Sequence, residues 1–229
     1  MNSKYLYLSL DIISILFPFI FSFYSKSNFS KKWKYLWIAV LIPGTLFIIW
    51  DEIFTRFGVW GFNEKYLSGV YAGSLPLEEI LFFICIPYAC VFTFEALNFL
   101  VKKDYLGRYQ KVISIGLIAI SLILGLVYID KWYTCTSFLG LAVYLFLLQF
   151  TWKASFLGRF YFAYMFILIP FFIVNGILTG SWIDDPVVWY NDLENSGVRM
   201  GTIPVEDVFY GMLLIVMNVS IFEWLQRRR

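Results

Sequence analysis

"SLPLEEILFF" at residues 74–83 sets two adjacent carboxylates, Glu78 and Glu79, at the mouth of a long apolar run. Charge beside hydrocarbon is expensive, so the pair needs a reason. "TIPVEDVFYG" at 202–211 repeats the device with Glu206 and Asp207. Aligned without gaps from Pro76 and Pro204, "PLEEILFFICIPYACVFTFEAL" and "PVEDVFYGMLLIVMNVSIFEWL" share the proline and the first glutamate. They also share Val91/Val219, Phe94/Phe222, Glu95/Glu223 and Leu97/Leu225, and Glu79 meets Asp207. "LIP" recurs at 41–43 and 168–170. The expected unit is three helices, helices 1–3 recurring as helices 5–7, with helix 4 as the crossing that brings the second copy in with the same orientation.

Composition points the same way. Of the 229 residues 60% are hydrophobic and only 15% charged, with 25 Phe, 16 Tyr and 9 Trp. A soluble globule of this length could not bury so much apolar surface. Uncharged stretches such as 112–129 and 160–183 have the length that crosses hydrocarbon as a helix. The sequence therefore predicts an all-α integral membrane protein with seven transmembrane helices, near 5–25, 35–54, 76–100, 112–130, 133–151, 160–180 and 204–225. The expected division is a first half at 1–100, a linker and helix 4 at 101–131, and a second half at 132–229. The length of 1–25, its interruption by Asp11 and the lack of a small-residue cleavage pattern predict a retained first helix rather than a signal peptide.

Thirteen of the 18 Lys and Arg residues fall in the loops after helices 1, 3 and 5 and in the "QRRR" tail. The positive-inside rule then predicts a multi-pass cell-membrane protein with its N-terminus outside and its C-terminus in the cytoplasm. A net charge of +2 makes no case for nucleic acid. The three cysteines form no CxxC pair, and the chain has no His, which excludes the familiar His-bearing zinc motifs.

Acids crowd the end opposite the basic loops: Asp51 and Glu52 close helix 2, and the two acid pairs open helices 3 and 7. Pure helix capping accounts for one acid in a first turn, less well for an aligned pair in both halves. Neighbouring helix residues point about 100° apart, so one of each pair faces the bundle while the other faces the loops. Glu78 and Glu206 are preferred as the inward pair, though periodicity also admits Glu79 and Asp207. Asn175, near the end of helix 6, takes the place of Asp51, and Arg199 is the nearest cation. Asp11 is a candidate to join the cluster, whereas Glu95 and Glu223 lie about 26 Å further along their helices, by the far boundary. Like charges crowded away from water cannot all ionise, so the cluster should hold protons as well as charge. Trp60, Phe82, Phe83, Tyr190 and Tyr210 surround it, and aromatic faces stabilise cations. Interfacial aromatic belts are a blander account of the same residues.

These residues resemble the small integral-membrane lycopene cyclases built of two related halves, which occur as separate subunits, as one fused chain, or joined to phytoene synthase. The resemblance covers nearly the whole chain. It rests on Asp51, "GVWGF" (58–62), "LPLEEILFF" (75–83), "NGILTG" (175–180), "VVWYN" (187–191) and "GVRMGTIPVED" (197–207). Membrane proteases with paired glutamates are dissimilar, because the arginine they need stands here as Phe83 and His is absent. The resemblance implies redox-neutral lycopene β-cyclisation, in which an acid protonates the ψ end and a base removes a ring proton, giving γ-carotene and then β-carotene. It implies no redox cofactor and no metal. Glu78 and Glu206 become the expected acid or base, Glu79 and Asp207 their partners in tuning or proton exchange, and Asp51, Asn175 and Arg199 their supports. The expected partners are a long apolar polyene and the bilayer, with no protein partner needed to complete the site. The rivals are a hydratase of the same ψ ends and a proton-coupled carotenoid- or lipid-binding or transport protein.

Overall fold

In hydrocarbon every backbone N–H and C=O must be satisfied within its own segment, so long apolar runs become helices. The computed structural model describes residues 3–227, leaving Met1, Asn2 and the last two basic residues of the tail, Arg228 and Arg229, outside the described residues. Within them lie the helices α1 (Leu6–Phe21), α2 (Trp33–Arg56), α3 (Leu77–Leu100), α4 (Gln110–Val127), α5 (Trp132–Phe146), α6 (Leu157–Leu178) and α7 (Val205–Arg227). A π-helical turn, Leu147–Thr151, extends α5. Each helix falls within a few residues of its predicted span. Six are long and apolar enough to cross a membrane, counting the short helical turns that extend some of them. The seventh, α1, has 16 residues, about 24 Å against a hydrocarbon core of about 30 Å.

Large apolar side chains such as Ile13, Phe17 and Ile20 on α1 and Val112, Ile123 and Leu126 on α4 face outward. A helical bundle with such a surface is a multi-pass membrane protein. The core is built around α3 and α7, which pack side by side; α1 lies along α3, α5 along α7, and α2 against both, while α6 closes on α3 and α4 rests on α5. Leu36, Val40, Tyr88, Val91, Leu141, Leu145, Leu157, Phe160, Val216, Val219 and Phe222 are fully buried between them.

The two ends differ. At one end Lys32 is ion-paired with Glu95 and Arg227 with Glu223, around a polar cavity of about 520 Å³ that Arg159 also lines. At the other end, segments 57–76 and 179–204, which the sequence presented as loops, fold into three two-stranded ribbons: β1 (Trp60–Phe62) with β4 (Val188–Tyr190), β2 (Tyr71–Ala72) with β3 (Leu75–Pro76), and β5 (Arg199–Met200) with β6 (Ile203–Pro204).

The ribbons obey a fixed spacing. Pairs Tyr71↔Pro76 and Ala72↔Leu75 recur 128 positions later as Arg199↔Pro204 and Met200↔Ile203. In β1–β4, Gly61 faces Trp189, the residue 128 positions on, so this ribbon has a local two-fold through that pair. Leu77 and Val205, the first residues of α3 and α7, donate their N–H groups to Val70 O and Val198 O. The hairpins β2–β3 and β5–β6 turn on Gly73 (φ 68°) and Gly201 (φ 67°), each the first residue of a two-residue loop that requires positive φ. A Cβ on Gly73 would also come within 2.7 Å of Glu52 Oε1, whereas one on Gly201 meets open space.

Both Gly73→Ala and Gly201→Ala should therefore be less stable by about 1–2 kcal/mol from backbone strain, with Gly73→Ala the more damaging. Thermal unfolding of the two variants in detergent checks the order; equal midpoints would contradict it.

Candidate functional site

Each proline–acid motif enters its helix from a ribbon, and this fixes the direction of both acids. Pro76 is the last, extended residue of β3 (φ −67°, ψ 152°), and the helix begins at Leu77. Glu78 turns back to its own loop, where Oε1 accepts the Ser68 N–H at 2.7 Å. Glu206 does the same with the Ser196 N–H at 2.8 Å, and also accepts the Thr134 hydroxyl at 2.6 Å. Both side chains are completely buried, but neither lines the cavity between the helices.

Glu79 and Asp207, one residue on, point into that cavity. It measures about 80 Å³ and is also lined by Asp51, Tyr7, Trp60, Phe82, Tyr133, Asn175, Tyr190 and Tyr210. Glu79 Oε2 accepts the Tyr7 hydroxyl at 2.6 Å. Asp207 accepts more: Tyr133 at 2.5 Å on Oδ1, and Tyr190 at 3.0 Å and Asn175 Nδ2 at 3.3 Å on Oδ2. Asp51 accepts the Trp60 indole N–H and faces the same cavity as Glu79, while its Oδ2 has no hydrogen-bond partner among the described residues. Of the acids at this end, three thus share one cavity. They are not drawn together as a metal-ligand set.

The β1–β4 ribbon closes the cavity on the side away from the helices. Trp60, Val187 and Val188 are buried, with Tyr66 and Leu67 beneath them, so the carboxylates are shielded from the aqueous face. The Tyr133 and Tyr190 rings stack at 5.7 Å, and Trp60 meets Tyr133 edge-on at 5.1 Å. Burial, followed by the neighbouring Asp207, pushes the Tyr190 phenol well above its ordinary pKa, so it persists as a hydrogen-bond donor.

The remaining predicted residues are placed as follows. Phe82 lines the cavity, whereas Phe83 packs away from it, against Phe47. Arg199 sits outside, bonded to Asp192 at 2.5 Å and to Thr202 O, with its guanidinium 5.9 Å from the Tyr190 ring. Arg199 also holds the Asp192 carboxyl below its usual range. Glu52 serves the surface, accepting from Ser74 N–H and Arg56. Asp11 is buried one turn from Tyr7 and interacts electrostatically with Tyr7 and Glu79, without lining the cavity.

Sequence reasoning missed Tyr7 and Tyr133, the direct donors to Glu79 and Asp207. A signal existed: each is the second residue of its helix, α1 or α5, the two helices that the sequence reading pairs. The two are 126 positions apart, however, and the gapless 128-position alignment pairs Tyr7 with Cys135 instead.

The buried Glu206 holds one backbone and one side-chain donor. Glu206→Ala strands both and should destabilise the protein by about 2–3 kcal/mol, while Glu206→Gln, which keeps an acceptor oxygen, should lose less. Denaturation in detergent monitored by tryptophan fluorescence separates the two.

A family model described as "Lycopene cyclase" matches residues 4–97 and 130–225, the unmatched interval containing α4. No curated protein and no solved structure gives a significant match.

Proposed function

The chain belongs to the lycopene cyclase family, and from that premise we propose that it converts the acyclic ψ ends of lycopene to β-rings by acid–base catalysis. One observation carries the reading: Asp51, Glu79 and Asp207, contributed by both halves, converge on one aromatic-lined cavity shielded from water.

The chemistry needs one proton in and one proton out. Asp51 and Glu79 are two buried carboxyls on one small cavity, where both cannot carry charge; in this reading they share a proton and the pair is the acid. The proton adds to C2 of the terminal double bond, leaving a cation at C1. The C5=C6 electrons close the C1–C6 bond and move the charge to C5. Loss of the C6 proton then forms the ring double bond, with no net change in mass or oxidation state. Asp207, with three donors to its two oxygens, is the carboxylate suited to receive that proton and to stabilise the cation before it. The faces of Trp60, Phe82, Tyr133, Tyr190 and Tyr210 add about 1–2 kcal/mol each where they meet the cation in the absence of water. Shielding from water favours intramolecular capture over hydration.

Glu78 and Glu206, preferred from sequence as the acid or base, are assigned here to holding the ribbons in register, because their carboxylates already serve Ser68 and Ser196. Asn175 supports Asp207, and Arg199 holds the outer loop over Tyr190.

The same reading includes the architecture: seven spanning helices, with 1–100 and 132–229 as tandem halves and 101–131 as linker and crossing helix. The 128-residue spacing of the ribbons and the two-part family match support it. The basic loops support a ribbon end on the outside and a C-terminus in the cytoplasm.

Expression in a bacterium that accumulates lycopene should yield γ-carotene and β-carotene at unchanged mass with shortened absorption. Glu79→Gln and Asp207→Asn should each lower product about 100-fold or more with normal membrane insertion. Pigment chromatography with mass spectra reads both. Products heavier by water would make the protein a hydratase, and unchanged lycopene with wild-type protein in the membrane would remove the cyclase assignment.

A further inference from the structure

The acid cavity is too small for a long polyene, and the ribbons seal its aqueous side. The substrate must reach it by another route. A second, apolar hollow of about 400 Å³ lies between α1 and α6 over α3, lined by Ile13, Phe17, Ala89, Pro170, Ile173 and Val174 among others. Phe82, Ile86, Phe171, Asn175 and Ile215 belong to both walls, so the hollow adjoins the acid cavity across a single layer of side chains. Ile13, Phe17 and Ile173 are more than half exposed at its outer edge, on the lipid-facing surface. Both flanking helices carry an internal proline on the groove wall, Pro18 and Pro170, where a lost backbone hydrogen bond lets a helix bend away from its neighbour.

The corresponding face between α2 and α5 is closed at this level. Tyr210 packs edge-on against Phe47 at 4.9 Å and Trp50 at 5.2 Å, and Phe83 fills the space beside Phe47. The position 128 residues after Phe83 is Gly211, which lines the acid cavity and leaves room beside Phe171. The two halves thus differ by a large-to-small exchange on the open side.

We propose that the α1–α6 groove is the polyene-binding site: lycopene enters it sideways from the bilayer, one ψ end reaches Glu79 and Asp207, and the rest of the chain stays in the groove and the surrounding lipid. The transfer runs from hydrocarbon to an apolar wall and crosses no water. The inference rests on the cyclase reading of the acid cavity.

A photo-crosslinking phenylalanine analogue placed at Ile13 or Ile173, in membranes containing lycopene, should capture the polyene in clear excess over the same probe at Leu46, exposed on α2. Adducts to phospholipid acyl chains only, or equal polyene capture at Leu46, would overturn the groove. In parallel, Ala89→Trp should cut cyclic product about 100-fold by displacing the reacting end, while Ile120→Trp on the lipid-facing side of α4 should match wild type. Full activity of Ala89→Trp would likewise overturn it. If the wild type makes no cyclic product, the cyclase reading falls while the crosslinks still decide the groove.

Discussion

The constraint on which this structure depends is the burial of carboxylates in a bundle that has hydrocarbon on its flanks. An acid removed from water without partners costs several kcal/mol, and six are buried toward one end of this bundle, five of them at the helix ends and Asp11 one turn inside. The donors that offset the cost come from every element around them: Ser68 and Ser196 from the loops, Thr134 and Tyr133 from α5, Tyr7 from α1, Asn175 from α6, Trp60 and Tyr190 from the ribbons. Satisfying these groups ties the starts of α1, α3, α5 and α7 to one another and to the ribbons that lie over the helix ends. The ribbon end is thus organised by polar contacts, while the rest of the bundle is organised by packing.

Within each pair the two acids have different employment. The first, Glu78 or Glu206, is saturated on one oxygen by a loop ten residues upstream and acts as a clasp. The second is turned by one helix step toward the bundle axis. The clasp aims the second acid, because a helix start pinned to its own ribbon cannot rotate. The difference between the halves then becomes chemically useful: Asp51, an acid, lies beside Glu79, whereas Asn175, an amide donor, lies beside Asp207. In the proposed mechanism the two carboxyls together store a proton, and the donors around Asp207 keep it ionised and so free to take one up.

Helix number, helix positions and the paired motifs were legible because they rest on long apolar runs and on an ungapped match of 22 residues between 76–97 and 204–225. Which member of each acid pair faces inward was not legible. Residues 100° apart on a helix are equivalent until the bundle axis is known, and Phe82 and Phe83 pose the same ambiguity, with only Phe82 on the cavity. The ribbons escaped notice because strands of two or three residues are too short for an alternation to register. Their punctuation was visible, however, in Gly69, Gly73, Gly197 and Gly201, all with positive φ and paired at 128 positions.

On the proposed reading of tandem halves, symmetry and its breach together account for a single reacting cavity. Two proline–acid motifs 128 positions apart bring Glu79 and Asp207 to one cavity, and on the tandem reading two exact copies would give two equal flanks. At the level of the acids, Phe47, Trp50, Phe83 and Tyr210 pack the α2 side, and Gly211, Phe171 and Asn175 leave the α1–α6 side open; the hollow between α2 and α5 lies further along, toward the basic end. Under the proposed mechanism, a linear substrate arriving by one flank would meet the two acids in fixed, unequal positions, so that one keeps the role of donor and the other that of acceptor. A molecule with two identical ends must then turn round, not the protein. The asymmetry of the acids and the asymmetry of the flanks are in this way one device, because unequal acids are useful only when the substrate approaches from a defined side.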